Sequence, residues 1–249
     1  MEKLAVIADI HSNVTALDAV LDHIRACGIR RVICLGDLVG KGPQPSEAVD
    51  RIMETCEVTV QGNWDHGIVR PQEKGTAQWQ KDRLSPEQLE FLDDLPFSYD
   101  IYLSGRKVRL VHASSDSVYH RVTRKAGKKE KLGFFENTAA TGPFLETDAT
   151  PDIVGYGDLH VPFMQTLKTK RKGGLLLFNT GSVGAPYDGL PQACYAVLEG
   201  EVGGRKDAPF SLQWVRVPYD ARRAVAIAET VGLPELERFR YEQLSGREQ

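Results

Sequence analysis

A chain of 249 residues with 41% hydrophobic and 26% charged side chains has the balance of a soluble globular protein, long enough for one large domain or two small ones. Its formal net charge of -3 and pI near 6.1 argue against a general binder of nucleic acid or of anionic membrane surfaces. No apolar run approaches the roughly 20 residues of a membrane span, and the start, MEKLAVIADIH, turns acidic too early for a signal peptide. The cysteines Cys27, Cys34, Cys56 and Cys194 lack C-x-x-C spacing and read as small core residues of a reduced, cytoplasmic protein without a structural zinc knot.

In chain order, LAVIAD (4–9) is short, apolar and followed by polar residues, the mark of a buried strand. VTALDAVLDHIRACG follows, with Leu17, Val20, Leu21 and Ile24 at helical spacing and Gly28 as a C-terminal stop. RVICLGD (31–37) predicts a second strand, GKGPQP (40–45) a loop, and Ser46 the cap of a helix carrying Ala48, Val49, Ile52 and Met53. VTV (58–60) completes a β-α-β-α-β alternation, the pattern of a parallel sheet covered by helices.

Farther on, Ser85-Pro86-Glu87-Gln88 reads as a capping box opening a short helix that ends near Leu95. Residues 99–113 predict two strands about a Gly105-Arg106 turn. HRVTRKAGKKEK (120–131) is polar and basic and reads as a mobile loop or excursion. Strands return at 152–158, 161–168, 174–180, 193–199 and 211–217, with KTKRKGG as a hairpin tip. Residues 221–244 read as helical, broken near Gly232-Leu233-Pro234. One domain over 1–249 is the simplest organisation, α/β in its first third and more antiparallel afterwards, with a cap-like excursion at about 115–150.

Five apolar runs stop on side chains that bind metals or accept protons: Asp9-Ile10-His11, Asp37, Asn63, His112 and Asp158-Leu159-His160. Singly, each is an ordinary turn former or core residue. Jointly, with D-x-H at both ends of the series, they point to one site, because ligands of open α/β sheets bind beyond the carboxyl ends of the strands. If the strands share a sheet, seven polar side chains converge on one rim.

The ordered blocks ADIHSN (8–13), LGDLVGKGP (35–43), GNWDH (62–66), LVHAS (110–114) and YGDLH (156–160) resemble those of the calcineurin-like metallophosphoesterases, whose signatures are D-x-H, G-D, G-N-H-[DE], a lone His and G-H-x-H. NTGSVGAPYDG (179–189) looks like a further stretch of the small bacterial phosphodiesterase and phosphatase branch. The resemblance spans roughly residues 4 to 199. It implies an α/β fold, a four-layer αββα sandwich of two mixed β-sheets flanked by helices. It also implies two divalent metal ions: one on Asp9, His11 and His160, the other on Asn63, His112 and Asp158, with Asp37 between them. Such a pair, roughly 3.5–4 Å apart, makes hydroxide available near neutral pH and offsets charge on the transferring phosphoryl group. The implied activity is hydrolysis of phosphate esters.

Two positions depart from the pattern. Trp64 stands where the family block has His, which the resemblance implies is either the general acid for the leaving group or a hydrogen-bond donor to the phosphoryl group in the transition state. An indole does not titrate, and general acid help is typically worth 10²–10⁴-fold. The expected preference is therefore for good leaving groups: phosphodiesters, aryl phosphates or nucleotide anhydrides. Asp158 stands where a neutral imidazole is usual. A third carboxylate beside Asp9 and Asp37 favours hard ions, so manganese is the first expectation, with Fe, Zn or Mg as alternatives. It also lowers the net positive charge, which predicts an activity profile displaced to higher pH.

Gly62 is expected to permit a tight turn before Asn63, and His66 reads either as a replacement for the missing proton donor or as a solvated loop histidine. Trp64 is a stacking platform for a base or packs under its loop. Asn13 is expected to touch substrate phosphate or support the loop backbone, and Asn179, Gly181 and Ser182 to support the strand end nearby. His120, Arg121 and Arg124 open the basic excursion, either as a solvated face or as a cap recognising phosphate groups. The partner class is a small phosphorylated substrate such as a nucleotide. Neither a membrane nor stable nucleic-acid binding is expected, and the oligomeric state is open. Alternative readings are a dinucleoside-polyphosphate hydrolase and a metal-bearing regulatory or ligand-binding protein with weak catalysis.

Overall fold

The computed structural model describes residues 1–73, 75–169 and 173–249. β1 (Glu2–Ile7) leads into α1 (Val14–Ala26), where the Asn13 side chain accepts the Ala16 N–H at 3.2 Å and Gly28 follows the helix at φ +69°. β2 (Arg31–Cys34), α2 (Pro45–Thr55) and β3 (Val58–Thr59) follow. Ser46 does not cap α2. Gln44 holds the cap position and Pro45 the first turn, where its fixed φ is already helical. The Ser46 hydroxyl instead accepts from Gln88 Nε2 at 2.9 Å.

Three short helices come next, α3 (Asn63–Ile68), α4 (Thr76–Lys81) and α5 (Pro86–Asp93). Ser85 and Gln88 make both bonds of the predicted capping box, at 3.0 and 3.2 Å. β4 (Ser98–Leu103) and β5 (Arg106–Val111) form a hairpin. The basic stretch expected as a loop ends in α6 (Lys128–Gly133). β6 (Ile153–Tyr156), β7 (Phe163–Thr169), β8 (Gly173–Asn179), β9 (Ala193–Gly200), β10 (Ser211–Val217), α7 (Ala221–Thr230) and α8 (Leu236–Ser245) complete the order. The expected hairpin tip at 170–172 lies outside the described residues; its flanks pair Thr169 with Gly173.

The strands divide into two five-stranded mixed sheets, β10-β9-β1-β2-β3 and β4-β5-β6-β8-β7. The second is less antiparallel than its sequence suggests, because β5, β6 and β8 run parallel in its centre. Residue alternation explains the layering. Leu4, Val6 and Ala8 meet Val108, Leu110 and Phe178 in the core between the sheets. Ala5 and Ile7 face the opposite way, onto Leu17, Val20 and Ile24 of α1 and Val49 and Ile52 of α2. A period of two thus buries both faces of β1.

The outer face of the second sheet carries Val111, Val154, Tyr156 and Leu177, covered by Val122, Phe134 and Phe135 from the 112–152 connection. Arg109, fully buried, anchors that connection: it forks onto Asp100 at 2.7 Å and donates to Asn137 and Thr141 at 3.1 and 3.0 Å. Cys27 is exposed at the end of α1, against the expectation of a core residue, whereas Cys34 and Cys194 are buried. Among the described residues no helix is long and apolar enough to cross a membrane.

Candidate metal centre

β1, β2 and β3 belong to one sheet, and β5 and β6 to the other. The polar strand ends therefore do not all share one sheet; they meet across the sandwich. Asp9 follows β1 and Asp158 follows β6, and the Asp158 N–H donates to Asp9 Oδ1 at 3.1 Å. The Gly157 N–H donates to the His112 carbonyl at 2.8 Å, closing the same edge within the second sheet.

Asp9, His11, Asp37, Asp158 and His160 all adopt left-handed backbone, φ +47° to +62°. Side chains other than glycine take this region at a cost of order 1–3 kcal/mol each. Backbone bonds hold the strained turns: Asp9 N–H to Gly36 O at 3.0 Å, His11 N–H to Asp37 O at 2.9 Å and Ser12 N–H to Leu38 O at 2.9 Å.

The three imidazoles share one arrangement. Nδ1 of His11, His112 and His160 meets the carbonyls of Val39, Leu35 and Ala185 at 3.0, 2.7 and 2.6 Å. A carbonyl only accepts, so each Nδ1 carries the proton and each neutral ring presents a bare Nε2. These nitrogens face the carboxylates. His11 Nε2 lies 3.5 Å from Asp37 Oδ2, His112 Nε2 3.5 Å from Asp37 Oδ1, and His160 Nε2 3.6 Å from Asp9 Oδ1. Asn63 Oδ1 approaches His112 Nε2 at 3.1 Å.

Among the described residues, two sets of ligand atoms lie within 4.8 Å of one another, Asp9 with His11 and His160, and Asp9 with Asp37 and His112. Asp9 is common to both. Asp37, expected between the two ions, divides its oxygens between His11 and His112.

Cations fit this donor set. Asp9 Oδ2 is buried without a hydrogen-bond partner, a costly state for a carboxylate unless a positive charge meets it. The bare Nε2 atoms of His11 and His160 stand 3.2 Å apart, two facing lone pairs that repel unless a cation lies between them. The charge pattern agrees. Burial above all pushes the Asp9 carboxyl well above the usual range, and Asp37 up to about 7. Burial and the neighbouring imidazole hold His11 well below its ordinary value, and burial does the same to His160. Burial pulls His112 down too, but Asp37, Asp9 and Asp158 outweigh it and raise the ring to about 9.

Other predicted residues are placed as follows. Trp64 opens α3 after Asn63, and its backbone N–H donates to Asp37 Oδ1 at 2.8 Å. Its indole lies against Gly40 and stands edge-on to His11, with ring centroids 6.2 Å apart. Gly62 is extended (φ -91°), so it serves close approach rather than a tight turn. A Cβ there would strike the Asp37 nitrogen and Oδ1. Asn13 caps α1, and its Nδ2 donates to Gly184 O at 2.9 Å and Gln243 Oε1 at 2.8 Å. Both amide hydrogens are used in support of the backbone and α8, the second of the two roles expected of it. Ser182 donates to Asp9 O at 2.8 Å, and Asn179 bonds Gly157 O, as expected of supports.

Of the prospective proton donor and the basic residues, His66 is partly exposed with Nδ1 2.8 Å from the Tyr119 hydroxyl; burial and Arg70 lower its pKa. His120 sits between Asp116 and Glu130, at 3.3 Å from each, on the wall of a cavity of about 580 Å³ whose lining includes none of the seven strand-end residues. Arg124 is exposed, and its carbonyl accepts from Lys131. Arg121 reaches the centre and holds the Asp158 carboxylate. Asp158 lies outside both ligand sets.

Sequence reading missed Asp65, whose buried carboxylate accepts from the N–H groups of Asp37, Leu38 and Gly62 at 2.7, 2.9 and 2.9 Å. It also missed Tyr187, stacked on His160 at 4.5 Å with its hydroxyl on Glu242, and Lys41, whose ammonium lies over the Tyr187 ring at 5.4 Å. The signals were present: Asp65 is the acidic position of the GNWDH block, and Lys41 and Tyr187 fall inside quoted blocks.

The model of the calcineurin-like phosphoesterase superfamily domain matches residues 2–203. The chain belongs to this superfamily. It is 32% identical over 260 residues to the uncharacterized protein MJ0912 of Methanocaldococcus jannaschii, covering 93% of this chain and 94% of that one. It is 24% identical over 213 residues to the phosphodiesterase YfcE of Escherichia coli, covering 81% and 90%. Among solved structures it resembles a metallophosphoesterase from Sphaerobacter thermophilus, with TM-score 0.74, 23% identity and 98% and 99% coverage. It also resembles protein PH1004 of Pyrococcus horikoshii, with TM-score 0.76, 20% identity and full coverage of both chains. Two mixed sheets flanked by helices are the fold of this superfamily, and its activity class is phosphoester hydrolysis.

Proposed function

We propose that this protein is a metal-dependent phosphodiesterase with a dinuclear centre, acting on small phosphorylated substrates with good leaving groups. Asp9, His11 and His160 would hold one divalent ion, and Asp37, Asn63 and His112 the other, with Asp9 or Asp37 shared. The observation that carries the reading is the triple anchoring of Nδ1 to backbone carbonyls, which aims three Nε2 atoms at two buried carboxylates, one with a partnerless oxygen. Bound divalent ions supply an acidified water and offset charge on the phosphoryl oxygens. The phosphodiesterase among the relatives supports the ester class.

The chain's own groups do the rest. Carbonyl-anchored imidazoles keep their orientation and tautomer whatever the ligand does. The Trp64 N–H and the Asp65 carboxylate fix the Asp37 loop. The Lys41 ammonium, among the charges felt by His11 and His160, adds positive potential for an anionic substrate. With an indole at position 64, that position supplies no proton to the leaving group, so alcohols that leave as stable anions are preferred. Carboxylates suit hard divalent ions and the imidazoles beside them suit transition metals, a mixture that fits manganese.

The test is hydrolysis of an aryl phosphodiester by protein stripped with chelator and reloaded with Mn²⁺. Activity should return with metal and vanish in Asp37→Asn. Turnover that ignores both chelation and Asp37→Asn would refute the proposal.

A further inference from the structure

Asp158 replaces an imidazole of the family block, and its side chain is already occupied. Arg121 Nε donates to its Oδ2 at 3.1 Å, and Arg121 Nη2 donates to Oδ1 at 3.3 Å and to the Asp158 carbonyl at 2.9 Å. The acid is 7% exposed and the guanidinium side chain 48%, so the pair has a buried end and an accessible end. The Asp158 backbone N–H reaches Asp9 Oδ1 at 3.1 Å, which puts the buried end against the metal ligands. Asp9 is also among the charges that Arg121 feels.

We infer that Asp158 is a positioning residue for Arg121, and that Arg121 is a phosphate-binding residue which contacts the non-bridging oxygens of the substrate's phosphoryl group. A guanidinium carries five N–H donors in a rigid fork. Asp158 engages Nε and Nη2, while Nη1 has no acceptor among the described residues. The fork is thus held on one side and available on the other. A side chain already fixed by a carboxylate loses less freedom when it captures an anion, and Arg matches phosphate oxygens in plane and spacing.

The same pair settles the charge at the replaced position. Asp158 and Arg121 cancel, so the net charge is that of the neutral imidazole they replace, and the counted carboxylates fall from three to two, Asp9 and Asp37. The displacement of the activity profile to higher pH, expected for an unpaired Asp158, is therefore not predicted.

This inference rests on the proposed phosphoesterase site, and the experiment separates the two. Wild-type protein, Arg121→Ala, Arg121→Lys, Asp158→Asn and the double variant Arg121→Ala/Asp158→Asn are loaded with Mn²⁺. Metal stoichiometry is measured by elemental analysis after dialysis, affinity for inorganic phosphate by calorimetry, and KM and kcat with an aryl phosphodiester. Arg121→Ala should bind phosphate about tenfold to a hundredfold more weakly and raise KM more than it lowers kcat, with unchanged metal content. Arg121→Lys should recover part of the affinity. Asp158→Asn should keep the metal and weaken phosphate binding, and the double variant should be no weaker than Arg121→Ala alone.

Loss of a metal equivalent in Asp158→Asn overturns the positioning role, since Asp158 would then be a ligand. Wild-type phosphate affinity in Arg121→Ala overturns the phosphate contact. A wild-type protein that retains no metal and hydrolyses nothing overturns the phosphoesterase reading itself, visible before any variant is made.

Discussion

Asp65 ties the Asp37 loop to the start of α3, and its removal has a calculable cost. Its carboxylate accepts three backbone N–H groups, from Asp37 and Leu38 on one segment and Gly62 on another, at 2.7 to 2.9 Å and with no solvent exposure. Asp65→Ala orphans all three donors. Each buried, unsatisfied N–H costs about 1–3 kcal/mol, and the gain from no longer burying a carboxylate offsets part of the sum. A net loss of about 3–5 kcal/mol follows. For a chain of this size each kcal/mol shifts Tm by roughly 2–4 °C, so the variant should melt about 6–20 °C lower.

Asp65→Asn is the sharper probe. It keeps the shape, but one amide oxygen replaces two carboxylate oxygens, and its NH₂ faces an N–H. About half the loss is expected. Urea unfolding of chelator-treated protein is the assay, because a bound ion would add its own stabilisation to the native state. Metal content of the folded variants is the second measurement, and both should hold less Mn²⁺ because the Asp37 loop is no longer fixed. An Asp65→Asn protein within about 0.5 kcal/mol of the parent and with full metal content would show that the three-donor clamp does not hold the site.

Trp64→His should raise turnover of alkyl phosphates relative to aryl ones by at least tenfold, with folding unchanged; an unchanged ratio of the two rates would show that position 64 has no part in protonating the leaving group. Gly184→Ala would drive a Cβ into the Ile10 carbonyl oxygen, backbone against backbone, and should destabilise the chain by about 3 kcal/mol or more in thermal unfolding. Metal-free protein should lose stability as pH rises from 6.5 to 9. His112, raised to about 9, contributes stability that is fully present below 6.5 and lost as pH rises through its folded value. Asp37, raised to about 7, has already lost most of its contribution below that range, as pH rises from its usual value near 3.8 to about 7. The two groups interact, so their effects do not add, and an upper bound is on the order of 3 kcal/mol. The gain in Tm on adding Mn²⁺ should accordingly be larger at pH 8.5 than at pH 6, as measured by scanning fluorimetry, because metal ligands must be deprotonated; equal gains would contradict the charge arrangement.

Most strands and helices were legible as local pattern. Leu17, Val20, Leu21 and Ile24 repeat at helical spacing, and Ser85 with Gln88 announced its capping box, because both signals depend on neighbours within four residues. Ser46 was misread because a cap-forming residue and a proline compete at adjacent positions, and proline's fixed φ decides which enters the first turn. The seven strand-end residues were also legible, since strand ends are marked by a change from apolar to polar. Their distribution over two sheets was not, because pairing partners such as β1 with β9 lie far apart in the chain.

The sequence by itself determined which residue types stand at the strand ends, and with them the superfamily and its fold. Only the tertiary structure decided what each of those side chains faces. It assigned Asn13 to a helix cap, Asp65 to a clamp on three backbone donors, and the Asp158 carboxylate to Arg121, 37 positions earlier. A carboxylate's role depends on the donor nearest to it, and that donor is brought there by packing of the two sheets and the connection between β5 and β6, which no local pattern encodes.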